Sequence, residues 1–187
     1  QGLRAWVMGK VMKRAGAGVP SANRITLLRD ADGDGRAETR TLFASGLNSP
    51  FGMVLVGDRL YVANTDAVLE FAYTPGQTAL QAPLRTVTAL PAGARNHHWT
   101  KSLIASADGR RLYVTVGSNS NAAENGLAEE AGRAAIWEID RDSGRKRLFA
   151  TGLRNPNGMA WVGSDTLWAV VNERDELGSD LVPDYLT

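Results

Sequence analysis

The sequence contains no cysteine, no long apolar run and almost no net charge. Without cysteine the chain has no disulfide and no thiolate for catalysis or metal binding. No run of 18 or more apolar residues occurs, so no transmembrane segment is expected. The 21 basic residues are balanced by 20 acidic residues, so the chain lacks the positive field of a nucleic-acid-binding protein. It also lacks the Gly-x4-Gly-Lys-Ser/Thr loop of phosphoryl transfer and the Gly-x-Ser-x-Gly elbow of serine hydrolases.

What remains is the composition of an ordinary globular protein. Of 187 residues, 43% are hydrophobic and 22% are charged, which is enough apolar material for one packed domain. The sequence begins at Gln1 without an initiator Met and ends soon after a strand-like run. We therefore expect it to be a segment of a longer protein.

An internal repeat organises the chain. The segment Phe43–Met53 recurs as Phe149–Met159, 106 residues later (43 to 149), and both copies contain Gly-Leu-x-x-Pro-x-Gly-Met. A third related unit, Lys101–Gly117, lies between them. The repeat is thus about 53 residues long, slightly above the roughly 40–50 residues of a four-stranded propeller blade.

Short strand signals separated by turn residues fill each repeat. They predict an all-β fold, a β-propeller of four-stranded blades with about three of six blades in this chain. The alternative is a β-sandwich, which the long matches between repeats disfavour. Closed propellers use four to eight blades, so we expect the missing half of the ring, or a second copy, as a partner. The predicted units are a basic helix or loop at 1–20, a partial propeller at 21–187, a half blade at 24–44, blades at 52–90 and 101–151, and a half blade at 158–172 plus a loop.

The acidic segment Asp30–Glu38 has two interpretations. Its alternating carboxylates at Asp30, Asp32 and Asp34, with glycines between them, resemble a calcium loop. The loop has Thr41 where an EF-hand needs an acidic residue, and no helix is predicted on either side. Asp and Gly also favour turns, so the segment could equally be a solvated turn between two strands of one blade.

The two histidines and one arginine are the candidate functional residues. His97 and His98 are adjacent and lead into a predicted innermost strand, where propeller sites form around the central channel. Adjacent residues of an extended segment point to opposite sides, so we expect one histidine to face the channel and the other to pack. Arg154 occupies the corresponding point one blade later, where the other copy of the repeat has Asn48. The turn therefore does not require Arg154, which favours a ligand-binding role for its guanidinium.

Three motifs in this order, Asn-His-His-Trp-Thr-Lys-Ser-Leu, Leu-Tyr-Val-Thr-Val-Gly-Ser and Gly-Leu-Arg-Asn-Pro-Asn-Gly-Met, resemble the soluble quinoprotein sugar dehydrogenases. The L-sorbosone and aldose dehydrogenase branch looks closest. The resemblance implies a six-bladed propeller that oxidises a sugar or sugar aldehyde with pyrroloquinoline quinone (PQQ) and Ca²⁺, an external electron acceptor, and a periplasmic or secreted location.

By position, the resemblance assigns roles to individual residues. His98 matches the catalytic base, and Arg154 and Asn155 match the pair that contacts the quinone. The loop containing Arg174 and Asp175 matches the place where backbone carbonyls hold Ca²⁺. Some members have an acidic residue that orients the base, and this sequence has Ser118 there.

A second class of function stays open at this stage. A calcium-dependent, lactonase-like propeller brings carboxylates and asparagines to a channel metal, and this chain has three candidate asparagines: Asn64, Asn121 and Asn172. A propeller that only binds a ligand would tolerate the loss of both His98 and Arg154.

Overall fold

The computed structural model of the protein describes residues 3–15, 20–175, 178 and 182–187. One α-helix and one short 3-10 helix accompany a set of short strands, so the described chain is all-β in class. No helix among these residues is both long and apolar enough to cross a membrane. The elements are α1 (Leu3–Arg14), β1 (Ile25–Arg29), β2 (Thr39–Ala44), β3 (Met53–Val56), β4 (Arg59–Ala63), β5 (Ala67–Ala72), β6 (Arg85–Ala89), β7 (Leu103–Ala105), β8 (Arg111–Val116), the 3-10 helix (Leu127–Glu130), β9 (Ala135–Asp140), β10 (Lys146–Thr151), β11 (Asn155–Val162), β12 (Thr166–Asn172) and β13 (Tyr185–Leu186).

The strands form four antiparallel sheets in chain order. Sheet 1 is β1-β2, sheet 2 is β3-β4-β5-β6, sheet 3 is β7-β8-β9-β10 and sheet 4 is β11-β12-β13. Within every sheet each strand pairs with the next one in sequence. This up-and-down order follows from the short connections, because a tight turn can join only antiparallel neighbours. Over the described residues no closed ring of sheets is formed.

Three hydrophobic clusters hold neighbouring sheets together. One joins sheets 1 and 2 through Leu47 and Phe71. The second joins sheets 2 and 3, and the third joins sheets 3 and 4. Strand β8 serves both of its neighbours, because Leu112 and Val114 lie in the cluster with sheet 2 and Tyr113 lies in the cluster with sheet 4. Successive side chains of a strand point to opposite faces, so a central strand with apolar residues at consecutive positions requires a sheet on each side.

The strands lie close to the blade bounds predicted at 24–44, 52–90, 101–151 and 158–172, with three differences. Strand β7 begins at Leu103 rather than Lys101, because the Ser102 N–H donates to the Thr115 side chain instead of a carbonyl. Strand β11 begins at Asn155, before the predicted start of the half blade at 158, and a bulge between Pro156 and Gly158 accommodates the proline. Strand β13 was not predicted from the sequence, because two residues carry no readable periodicity.

Residues 1–20 were predicted to form either a basic helix or a loop, and the structure has a helix there, α1. Its described side chains, from Trp6 onward, are exposed. Residues 16–19 of the predicted N-terminal unit lie outside the described residues. So do residues 176–177 and 179–180 of the loop predicted after 172.

Gly52 is a point where sheet 2 contacts the backbone next to β7 of sheet 3. Its N–H donates to the Lys101 carbonyl across the interface at 2.9 Å. A Cβ on Gly52 would lie 2.5 Å from both the Leu103 nitrogen and the Lys101 oxygen. Gly158 occupies the same place in the repeat, but a Cβ there would meet only a Val170 methyl at 3.4 Å. The first glycine is therefore required by packing and the second is not required by the described contacts.

We expect Gly52→Ala to lower the free energy of unfolding by about 1–3 kcal/mol, because overpacking at a backbone contact forces the two sheets apart. Urea denaturation of the protein measures this loss. The matched control is Gly158→Ala, which should change stability by less than about 0.5 kcal/mol, as for an ordinary surface substitution. Equal losses in the two variants would show that the sheet interface does not crowd Gly52.

Candidate functional site

His98 lies between β6 and β7, and a fixed hydrogen bond sets the orientation of its ring. Its Nδ1 is 2.9 Å from the Ser118 carbonyl oxygen and 3.1 Å from the Ser118 hydroxyl. A carbonyl can only accept, so in the neutral ring the proton sits on Nδ1 and Nε2 carries the free lone pair. The neighbouring His97 is exposed, and its ring meets that of His98 edge-on at 4.5 Å. Ser118 stands where some members of the resembling family have the acidic residue that orients the base. In this structure it contacts the ring through both its backbone carbonyl and its side chain.

The surroundings of His98 lower its pKa below the ordinary value of 6.5. Burial is the largest cause, because a partly desolvated ring resists taking a charge. The positive charge of Arg154 and the proximity of His97 act in the same direction, whereas the Ser118 carbonyl and Asp175 oppose them. His98 is therefore neutral, with a free lone pair, at neutral pH.

An NMR titration of the His98 ring should give a pKa below 6.5, because the native ring binds its proton less readily than the unfolded one. Because the unfolded state therefore binds this proton at a higher pH than the native state, the free energy of unfolding should decrease as the pH falls below 6.5. His97→Gln leaves a single histidine and makes the assignment unambiguous. A measured pKa of 6.5 or more would contradict the described environment.

Lys101 lies beneath the His98 loop and is fully buried, with 0% of its surface exposed. Its ammonium donates to the Trp99 carbonyl at 2.9 Å and to the His98 carbonyl at 3.4 Å. Burial lowers the pKa of Lys101 to about 8, and nearby Arg133 adds to the effect. The ammonium therefore fixes the backbone that carries His98, at the cost of a buried charge.

Asn155 is next to His98 and its side chain makes no hydrogen bond with any described residue. It is 8% exposed, and its Oδ1 is buried without a partner. Gly117 separates the two side chains: a Cβ there would lie 2.5 Å from His98 Cβ and 2.6 Å from Asn155 Oδ1. Only glycine leaves room for both. A buried amide without partners is costly, so this group is suited to binding a ligand.

Arg154 is 7% exposed and its guanidinium is directed at two loops. Nε donates to the Asn121 carbonyl at 2.8 Å, and one terminal nitrogen donates to Asn121 Oδ1 at 2.7 Å and Asp175 Oδ2 at 3.1 Å. The other terminal nitrogen donates to both oxygens of Asn172 at 3.2 Å and to the Glu173 carbonyl. Every N–H group of the fork has a protein acceptor, so Arg154 ties the loop after β8 to the loop after β12.

The loop predicted to hold Ca²⁺ is ordered by the same contacts. Asn121 receives the Asp175 N–H at 2.9 Å and donates to the Asp175 carbonyl at 2.9 Å. Arg154 engages the Glu173 carbonyl. A carbonyl oxygen has two lone pairs, so these hydrogen bonds still leave capacity for a cation. The assignment of metal binding to Arg174 and Asp175 stays a prediction.

A cavity of about 330 Å³ opens beside these loops. Ser118, Asn121, Arg154, Glu173 and Arg174 contribute to its wall. It therefore brings the loop that orients His98 together with the arginine and with part of the predicted calcium loop.

The acidic segment Asp30–Glu38 joins β1 to β2, as the turn interpretation predicted. Its four carboxylates are exposed and lie within 4.8 Å of one another. Asp30 accepts the N–H groups of Gly33 at 2.6 Å and Gly35 at 2.8 Å. These bonds, that of Gly35 first, lower the pKa of Asp30. Hydrogen bonding within the turn accounts for the clustering of the carboxylates.

The sequence does not predict the residues that pack next to the site and hold its loops. Lys101 belongs to one of the three motifs, and a lysine just before an apolar strand is a signal that could have indicated its structural role. Asp184 accepts the Glu173 N–H at 2.8 Å and the Asn172 amide at 3.2 Å, and Glu130 accepts the Asn119 N–H at 2.7 Å. Nothing in the local sequence distinguishes these carboxylates from solvated ones. Of the three asparagines considered for a lactonase, Asn121 and Asn172 both bind Arg154, while Asn64 is buried with an unpaired Oδ1.

Comparison with known proteins gives matches at the level of family and fold. A model of the TrAA12-like family matches residues 19–183. Among curated proteins no sequence matches. The holo form of the pyranose dehydrogenase PQQ domain from Coprinopsis cinerea aligns with a TM-score of 0.67 and 18% identity, over 84% of this chain and 45% of that one.

Two further solved structures are similar. The calcium structure of the Trichoderma reesei Carbohydrate-Active Enzymes Family AA12 protein aligns with a TM-score of 0.66 and 19% identity, over 84% of this chain and 42% of that chain. A putative oxidoreductase (glucose dehydrogenase) from Thermus thermophilus aligns with a TM-score of 0.57 and 22% identity, over 80% of this chain and 51% of that chain. This chain thus spans about half the length of these structures or less, and shares their fold over that part. Because the family model covers residues 19–183, most of the sequence, the chain belongs to the TrAA12-like family.

Proposed function

We propose that this chain forms part of a quinoprotein oxidoreductase, in which His98 acts as general base in the oxidation of a sugar or sugar aldehyde with PQQ and Ca²⁺. The main observation behind the proposal is that His98 and Asn155 lie side by side. The histidine is held by Ser118 with its Nε2 lone pair free, and beside it, across Gly117, lies a buried amide without a partner. A base next to an unsatisfied polar group is the arrangement expected of a binding site for a reacting molecule.

Support for the cofactors comes from the similar structures. One of them is described as the holo form of a PQQ domain, and another as a calcium structure. Asn155 fits a ligand that offers both kinds of group, because its NH₂ can donate to a carbonyl and its unpaired Oδ1 can accept from an N–H or O–H group. The carbonyls of the loop at Arg174 and Asp175 suit a hard cation, which prefers oxygen ligands. When bound, the quinone would supply the carbonyl carbon that accepts a hydride.

The residues of this chain would then do three things. His98 Nε2 takes the proton of the sugar hydroxyl, or of a hydrated aldehyde, and the Nδ1–H···O bond to Ser118 stabilises the resulting imidazolium. Asn155 orients the cofactor by hydrogen bonding. The resemblance also assigns Arg154 to the cofactor. Its guanidinium could contact the cofactor directly only if it gave up one of its hydrogen bonds to the two loops. Without such a contact, its positive charge still stabilises negative charge that develops nearby.

The fold is proposed to be half of a six-bladed propeller. Sheets 2 and 3 are complete four-stranded units, and sheets 1 and 4 lack strands. Sheet 1 exposes Leu28 and Leu42, and sheet 4 exposes Trp168, Val170 and Leu186. Apolar rows of this kind on sheet faces require cover. We propose that the remaining blades, or a second copy of this half, provide it, and that the protein works in the periplasm or outside the cell.

This part of the proposal gives a prediction for Gly158. In a polypeptide that includes the next blade, a new innermost strand should crowd Gly158 as β7 crowds Gly52. We therefore expect Gly158→Ala to cost about 1–3 kcal/mol in the longer polypeptide, although it is nearly neutral in this chain. Urea denaturation of both forms measures the difference. A variant that stays neutral in the longer form would contradict a continuing ring.

The function itself is tested by reconstitution of the polypeptide that carries this chain and its remaining blades. We expect dye-linked oxidation of aldoses to need both PQQ and Ca²⁺ and to be lost on chelation of the metal. Hydrolysis of a sugar lactone with Ca²⁺ and no quinone would replace this function by the lactonase alternative. Binding of a sugar without either reaction would leave only a binding propeller.

A further inference from the structure

A second cavity, of about 440 Å³, lies on the other side of the His98 loop. Its wall includes the segment 91–95, the loop around the 3-10 helix and the side chains of Asn119, Glu129, Arg95 and Arg133. Asn119 connects it to the candidate site, because its Oδ1 accepts the His97 N–H at 3.3 Å. The mechanism proposed above uses none of these side chains.

Arg133 is the unusual residue of this cavity. It is 7% exposed, yet its only side-chain hydrogen bond to a described residue runs from one terminal nitrogen to Asn96 Oδ1 at 2.9 Å. It forms no ion pair with any described carboxylate. Glu130, whose charge acts on Arg133, directs its oxygens to the Asn119 N–H and to the Ser120 hydroxyl. Burial lowers the pKa of Arg133, which Glu130 and Glu129 only partly offset. Burying a charged guanidinium is costly unless its N–H groups have acceptors. Arg133 therefore has N–H donors available for the acceptor atoms of a ligand.

The charges that line the cavity indicate what would complete it. Arg95 and Arg133 contribute two positive charges and Glu129 one negative charge, which leaves a single positive charge for a ligand. A monoanion fits this balance better than a dianion. A guanidinium binds a carboxylate through two parallel hydrogen bonds, and Asn119 and Glu129 offer polar contacts for hydroxyl groups.

We propose that this cavity is a binding site for a carboxylate-bearing sugar, a uronate, held by Arg133 and Arg95 next to the His98 loop. The ligand places its carboxylate on the two guanidinium groups and its hydroxyls on Asn119 and Glu129. The site is separate from the one assigned to the quinone, and it does not depend on the quinone or on oxidation. It would favour acidic sugars, or acidic ends of larger saccharides, over neutral ones.

The test is an NMR titration of the protein with D-glucuronate at low ionic strength, with D-glucose and D-glucose 6-phosphate as comparison probes. We expect saturable shifts of the amides in segments 91–95 and 128–133 with glucuronate, and weaker binding of both comparison sugars. Arg133→Gln and Arg95→Gln should each weaken glucuronate binding by about tenfold or more, as for the loss of a charge-assisted hydrogen bond. Arg95 is exposed, so its variant reports on binding even if Arg133→Gln does not fold.

Arg36→Gln is the matched control, because it removes an exposed arginine from the distant turn between β1 and β2 and should leave binding unchanged. Absence of saturable shifts, equal binding of glucose, tighter binding of the phosphate, or an unchanged affinity in Arg95→Gln would each overturn the site. A further arm adds PQQ with Ca²⁺ to the glucuronate complex. Displacement of glucuronate would assign the arginines to the carboxylates of the quinone and overturn the proposal. Retention of glucuronate while PQQ shifts the amides around His98 and Asn155 supports a separate site.

Discussion

Replacing His98 by alanine should lower turnover by about 10²–10⁴-fold, the usual contribution of a general base, in the reconstituted polypeptide. In the proposed mechanism the ring takes the sugar proton at Nε2, because its Nδ1 is committed to Ser118. Folding should change little, since His98 is only half-buried. Steady-state rates of dye-linked sugar oxidation and urea denaturation measure the two quantities.

The control for this variant is His97→Ala. It removes the adjacent, exposed imidazole and its edge-on contact with the His98 ring while leaving the bond to Ser118. We expect it to retain most of the activity. In the wild-type protein the rate should fall on the acid side only below pH 6.5, because the pKa of His98 is lowered and the base works in its neutral form. Comparable turnover in His98→Ala and wild type would remove His98 from the proposed role.

Replacing Arg154 by methionine should lower the free energy of unfolding by about 3 kcal/mol, because each buried acceptor that loses its donor costs about 1–3 kcal/mol. The substitution leaves the carbonyl oxygens of Asn121, Asn172 and Glu173 without this donor. It also separates the loop after β8 from the loop after β12, which would weaken any Ca²⁺ site in the latter. Urea denaturation gives the stability, and the Ca²⁺ concentration needed for activity gives the second effect.

Arg147→Met is the matched control for Arg154→Met. Arg147 makes two hydrogen bonds, both at 2.9 Å, to Glu138, and 61% of its side chain is exposed, whereas the Glu138 side chain is 9% exposed. Arg111 stays 3.5 Å from Glu138 in the variant, so the buried carboxylate keeps a cation and we expect a loss of about 1 kcal/mol. Arg154→Lys should recover only part of the loss, because a single ammonium cannot reach both loops in the way the fork does. Equal losses for Arg154→Met and Arg147→Met would mean that Arg154 does not tie the loops together.

The strands were predictable because each repeat presents its own short, local pattern. Alternating apolar residues and turn glycines fix where β4, β8 and β12 begin and end, and the two exact copies of Gly-Leu-x-x-Pro-x-Gly-Met reveal the period. The period places the segment that contains His98 about one unit before the segment that contains Asn155, and the resemblance assigns the roles of the two residues.

The contacts of the site could not be read in this way, because they join residues far apart in sequence. Arg154 reaches Asn121, 33 residues away, and Arg133 reaches Asn96, 37 residues away. Such pairs depend on how the sheets are rotated against one another, which no local pattern encodes. The sequence therefore predicted a ligand-binding role for Arg154 but not the protein acceptors that its N–H groups reach in the structure.

The central claim is that this chain contributes a proton-accepting imidazole to a quinone site, and a single-turnover experiment tests it most directly. The polypeptide with its remaining blades is loaded with PQQ and Ca²⁺, mixed with an excess of aldose without electron acceptor, and followed by the absorbance of the cofactor. We expect rapid conversion from the oxidised to the reduced spectrum in the wild type and slow conversion in His98→Ala. A cofactor that fails to bind, or that binds and stays oxidised in the wild type, would contradict the claim.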